Sequence, residues 1–168
     1  MITYKDKMIN NDHLHKKDIA EIIERYQYST LKKANDFNDV SIFDVIETSQ
    51  DSEDHIMAVL YIDFAMKIMD HIEQHSMKEK AYFILIADLF NALYYKHISK
   101  VNNAQLFNIL NDKIMDYNQH LYHFRSSNND DEKLYQYIKY NKLRMQFIDT
   151  LSIDQEIFNR YLSESYKN

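Results

Sequence analysis

Not one of the 168 residues is glycine or proline, and this restricts the fold more than any motif in the chain. Average usage would be about 7% and 5%. Two-residue hairpins draw on glycine at positive φ, and helices commonly close on glycine just past their last turn. Connections here must therefore be made by Asn, Asp and Ser. Strand-rich folds are disfavoured, and long helices joined by short polar turns remain. The length falls in the usual single-domain range of about 100 to 200 residues. With 45% hydrophobic residues, such a chain can bury roughly 68 to 70% of its unfolded surface without metals or disulfides.

Apolar periodicity then sets out the helices, giving an all-α, single-domain bundle of about six to seven over residues 1–168. A polar N-terminal arm of about residues 1–15 precedes a first helix from Lys16 into the Leu31 region, marked by Ile19, Ile22, Ile23 and Tyr26. Asp39 or Ser41 starts a short second helix with Ile42, Phe43, Val45 and Ile46, and the connector TSQDSED follows. Asp51 and Ser52 cap a long third helix. Ser76 with Glu79 has the capping-box spacing that opens a fourth. The turn between these two is tight enough to make them antiparallel neighbours. A fifth helix begins near Asn103 and fades at RSSNNDDE, a sixth runs from about Asp131 to Thr150, and Ser152 with Gln155 caps a short last one ending near Tyr166.

The fourth helix contains AYFILIADLFNALYYKHISK, Ala81 to Lys100, apolar on nearly every side yet carrying Asp88. A helix that is apolar all round must be covered all round. Its run to Tyr95 is shorter than the about 20 residues that span a bilayer, and Asp88 and Asn91 interrupt it. Lipid is therefore not the cover, and the helix is either the centre of the domain, an interface with another protein, or both along its length.

Few chemistries survive the composition. Formal net charge is -6 with no Lys/Arg block, which argues against a phosphate-backbone binder and hence against nucleic acid. Zero Cys removes disulfides, thiolate metal sites and Cys nucleophiles. Without glycine there is neither a P-loop nor a nucleophile elbow. The N-terminus lacks an apolar secretion segment, so a cytoplasmic location is expected. His71 and His75, one turn apart beside Asp70 and Glu73, and the face of Asp116, His120 and His123 could be metal ligands. They are better read as solvated polar faces, because carboxylate-bridged bundles need Glu-x-x-His pairs and none occurs. No catalytic or metal-binding residue is assigned on these grounds. The residues by themselves describe a helical interaction protein.

The order of three segments, MAVLYIDFAMKIMDHIEQ, then IADLFNALYYKHIS, then FNILNDKIMDYNQHLY, resembles the small subunit, component I, of bacterial heteromeric hexaprenyl and heptaprenyl diphosphate synthases. The likeness covers roughly Ile56 to Leu121 and is strongest at Asp88, Leu89, Phe90, Leu93, Tyr94, Tyr95 and Ser99. It implies a degenerate relative of the trans-prenyltransferase (isoprenoid synthase) fold. The first magnesium-binding aspartate motif of the catalytic relatives is reduced here to Asp70 and Glu73, and no second motif is visible.

In those relatives the helix matching IADLFNALYY begins with Gly-Asp and lies at the dimer interface beside the elongation tunnel. Ala87 holds the glycine's place here. The resemblance implies a non-catalytic subunit that pairs with a catalytic large subunit as a heterodimer and supports activity and product-length control in quinone side-chain synthesis, such as that of menaquinone. Magnesium and the allylic and isopentenyl diphosphates would be held by the partner, with no cofactor in this chain. Phe83, Ile86, Asp88, Phe90, Leu93 and Tyr94 are the expected interface or tunnel-lining residues, with Asp88 either buried and hydrogen-bonded at or near the contact or a satisfied helix-packing residue within this chain. A helical adaptor or regulator without an enzymatic role is the alternative from another class.

Overall fold

The computed structural model describes residues 1–10, 16–28 and 40–165. Eight α-helices occupy them: α1 Tyr4–Ile9, α2 Lys16–Tyr28, α3 Ile42–Ile46, α4 Glu53–Asp70, α5 Met77–Val101, α6 Ala104–Ser126, α7 Asp130–Ile148 and α8 Gln155–Ser165. The expected end of the first helix near Leu31, the start at Asp39 and the end of the last helix near Tyr166 lie outside the described residues.

Polar side chains do the work that glycine and proline do elsewhere. Thr3 with Asp6, Ser41 with Asp44 and Ser76 with Glu79 form complete capping boxes at the starts of α1, α3 and α5. Ser52, Asn103 and Asn129 cap α4, α6 and α7. Among the described residues the one left-handed backbone is Asn102, at φ 53°, closing α5 where glycine is usual. Two expectations need correction. The helix from Lys16 is not the first, because within the polar arm the Thr3–Asp6 box opens α1, whose Met8 is buried. The last helix is capped by Asp154, whose Oδ1 accepts the Glu156 and Ile157 amides, rather than by Ser152. Ser152 instead donates its amide to Asp51 Oδ2 at 2.5 Å, tying the α7–α8 turn to the connector before α4.

The central helix is α4. Every residue from His55 to Ile68 is buried, and one contiguous apolar cluster built around it runs from Met8 in α1 to Tyr161 in α8. On one side α5 packs antiparallel, with Asp54 near the start of α4 bonded to His97 near the end of α5, and Tyr61 packed on Phe90 midway. On the other side stands the antiparallel hairpin of α6 and α7, joined by Lys113 to Gln146 and His120 to Gln136. The choice between centre and interface for the apolar fourth helix is thus settled in part: the centre is its predecessor. Two charged residues in α4 disguise this, because Asp63 and Lys67 look like solvent-facing positions. They are four apart, and Lys67 Nζ lies 2.5 Å from Asp63 Oδ2 with both side chains sealed from water. One turn of helix brings opposite charges together, which makes their joint burial tolerable.

Candidate functional site

α5 has two faces of different character. Its inner face carries Phe83, Ala87, Phe90, Leu93, Tyr94 and Ile98, all buried against this chain's own helices. Phe90 packs on Tyr61 and Phe64, with ring centres 5.7 and 6.5 Å apart. Phe83 meets Tyr26 and His75. The Tyr94 hydroxyl donates to Asn111 Oδ1 at 3.3 Å, and burial pushes its pKa up. Of the residues expected to line an interface, Phe83, Phe90, Leu93 and Tyr94 are therefore turned into the core, and Ile86 is half-buried. The reason is α4: a neighbour buried all round needs an apolar wall, and the bulkiest residues of α5 supply it.

Asp88 is on the other face and is exposed in the isolated chain. It belongs to a row of Ala81, Leu85, Asp88, Ala92, Tyr95 and Ser99, every one of them exposed. Leu85 is 67% and Tyr95 48% accessible. The alternating steps of four and three place these six residues along one line of the helix, as in the seam of a packed helix pair. Beside the row, Tyr95 and Asn91 form one wall of a cleft of about 210 Å³. Its floor is Ile62, Ala65, Met66 and Met69 of α4, and its far wall is Ile114 and Asn118 of α6. Of the row only Asp88 is among the residues expected at an interface, and the other five, Ala81, Leu85, Ala92, Tyr95 and Ser99, are not. The signal that finds them is the spacing.

The position of the reduced aspartate motif is also accounted for. Asp70 Oδ2 accepts a hydrogen bond from Arg144 Nη1 of α7 at 2.6 Å, and Asp70 Oδ1 accepts one from the Tyr117 hydroxyl of α6 at 2.5 Å. The Asp70 and Arg144 side chains are each 8% exposed. Burial pulls the guanidinium's pKa down, but the Asp70 and Asp63 carboxylates outweigh it and raise it above its ordinary value, so Arg144 stays protonated. Burial first, and then the Asp70 charge, drive the Tyr117 hydroxyl well above its ordinary value. Glu73, beyond the end of α4, is exposed and pairs with Lys80 at 2.6 Å. A magnesium site needs carboxylate oxygens free to converge on the ion. Here one carboxylate is closed off by a permanent cation and the other points to a different partner, so Asp70 and Glu73 do not fit the metal.

The histidine pairs are likewise engaged. His71 Nδ1 lies 2.9 Å from the Lys67 carbonyl, and His75 is held between Arg25 and the Tyr26 hydroxyl. His120 bonds Gln136, while Asp116 and His123 are exposed. Among the described residues no three potential ligands converge. None of the described helices is long and apolar enough to cross a membrane.

The described residues thus form an all-helical core around one buried helix, with Asp70 paired to Arg144 and one bare seam on α5, and the class, a prenyltransferase-like small subunit, comes from the family match. The chain belongs to the hexaprenyl diphosphate synthase small-subunit family, whose HexPS-like model matches residues 7–134, from α1 into the first turns of α7. A small subunit of such a synthase implies a catalytic partner subunit. No curated protein and no solved structure matches.

Proposed function

We propose that this chain is the non-catalytic subunit of a heteromeric long-chain trans-polyprenyl diphosphate synthase, and that the bare face of α5 is where the catalytic subunit docks. The exposed row from Ala81 to Ser99 is the observation that carries this reading. Its small residues let a partner helix come close, and Leu85 and Tyr95 provide the apolar contact. Asp88, exposed in the free chain, becomes desolvated on docking and needs a donor from the partner. Magnesium and both diphosphate substrates sit on the catalytic subunit in this reading, since Asp70 is occupied by Arg144.

The same geometry supports a role in product length. The cleft floored by Ile62, Ala65, Met66 and Met69 opens next to Tyr95, so a subunit seated on the row also covers the cleft. Each methylene buried is worth about 0.8 kcal/mol, and a growing prenyl chain gains from any dry wall the two subunits close together. The product would serve as the isoprenoid tail of a quinone such as menaquinone, made in the cytoplasm by a heterodimer.

The test is Leu85→Asp, assayed by co-purification with the catalytic subunit and by condensation of an allylic diphosphate with isopentenyl diphosphate. Leu85 faces solvent, so the helical circular dichroism of the chain should be unchanged. A desolvated unpaired charge costs several kcal/mol, and the complex should weaken by about a hundredfold or more, with synthesis lost in step. Normal assembly with normal product would remove α5 from the interface.

A further inference from the structure

The outer face of α7 carries a second exposed apolar patch, well away in sequence from the α5 row. Leu134 and Ile138, one turn apart, are 60% and 57% accessible, and Tyr135 and Tyr137 beside them are also exposed. The patch lies almost wholly beyond the residues matched to the small-subunit family, which end at 134. Its flanking charges indicate what covers it. Asp131 precedes Leu134 and Lys142 follows Ile138, and both are exposed. The two charges are eleven positions apart, about three full helical turns, so they lie on the same flank of the stripe.

We infer that a second copy of this chain packs on this face, as an antiparallel α7 pair related by a twofold axis. The axis crosses the outer face midway between Leu134 and Ile138, at the level of Gln136, whose own side chain is buried on the opposite side of the helix. In that register Leu134 lies opposite Ile138 of the other copy, and the reverse holds across the axis. Asp131 is five residues before the axis and Lys142 six after it, so each Asp131 falls within one residue rise, about 1.5 Å, of the other copy's Lys142. An isologous interface has to be complementary to itself, and this face is so in both its apolar centre and its charged ends. The α5 row is not, because a twofold pairing centred on that row brings Asp88 beside the Asp88 of the second copy. An anionic membrane is a poorer occupant of the α7 face, given Asp130, Asp131 and Glu132 at its edge and a chain net charge of -6.

The inference concerns this chain alone, and its test needs no catalytic subunit. Sedimentation equilibrium of the full chain over a concentration series should give a monomer–dimer equilibrium. Ile138→Asp should weaken the dimer about a hundredfold or more. Asp131→Lys or Lys142→Asp, each replacing two attractive contacts by two repulsive ones, should weaken it about tenfold. The double exchange Asp131→Lys with Lys142→Asp should return it to within about threefold of wild type, a rescue that a loss of folding would not give. The two charge variants are at exposed positions, and they carry the test if Ile138→Asp fails to fold. The inference is overturned if wild type is monomeric at every concentration, if the charge exchange fails to restore a dimer lost in the single variants, or if Leu85→Asp rather than the α7 variants dissociates the dimer. Binding of the monomer to phosphatidylglycerol vesicles through this face, without dimerisation, also overturns it.

Discussion

Replacing Arg144 with methionine would show whether Asp70 is a structural counter-ion or a ligand in waiting. The substitution keeps an unbranched apolar stem and removes the guanidinium that lies 2.6 Å from Asp70 Oδ2. With both side chains only 8% exposed, water cannot replace the lost partner. Breaking a buried pair from one side costs about 3–5 kcal/mol. The Tyr117 hydroxyl still serves the other carboxylate oxygen, which places the expected loss near the bottom of that range, about 3 kcal/mol. Against a total stability of roughly 5–15 kcal/mol this is a large fraction.

Urea unfolding followed by far-ultraviolet circular dichroism suits a chain with no Trp. Combining Arg144→Met with Asp70→Leu removes both charges, and Tyr117 can still donate to the Met66 carbonyl at 3.3 Å. The double variant should therefore recover to within about 1 kcal/mol of wild type. Adding magnesium chloride at constant ionic strength should leave the wild-type midpoint unmoved. A cost below about 1 kcal/mol for the single variant, no recovery in the double, or a magnesium-dependent rise in stability would refute the assignment of Asp70 to Arg144.

Phe90→Ala and Tyr94→Ala should act on folding before they act on product. Both side chains are fully buried within this chain, so a loss of about 3–5 kcal/mol is expected in urea titrations, and an altered product with unchanged stability would contradict their inward placement. Acid should weaken the fold through two histidines. Burial holds His55 below its usual value near 6.5 against the opposing pull of Asp51, and burial with Arg25 does the same for His75. Both stay neutral in the folded chain where the unfolded chain has begun to bind protons, so stability present above about pH 6.5 is lost as pH falls below it. Ring-proton nuclear magnetic resonance titration should find both midpoints below 6.5, and a midpoint above that for either would reverse the sign.

Much of the fold is legible in the chain itself, because helix starts are local events. Ser41, Ser52, Ser76 and Asn103 each cap a helix within three residues of their own amide partners, and the absence of glycine and proline leaves few other ways to turn. The family is legible too, since the order of apolar and polar positions through α4, α5 and α6 is a linear pattern. What a linear pattern does not contain is which side of an apolar helix is already taken. α4 and α5 are both rich in large hydrophobics, and only packing reveals that α4 is enclosed while α5 keeps one row bare. The same limit hides Arg144. It sits 74 residues from Asp70, and no spacing rule joins them until the α6–α7 hairpin folds back over α4. Burial and charge pairing across that distance depend on where whole helices come to rest, and that is set by the sum of many contacts rather than by any one of them.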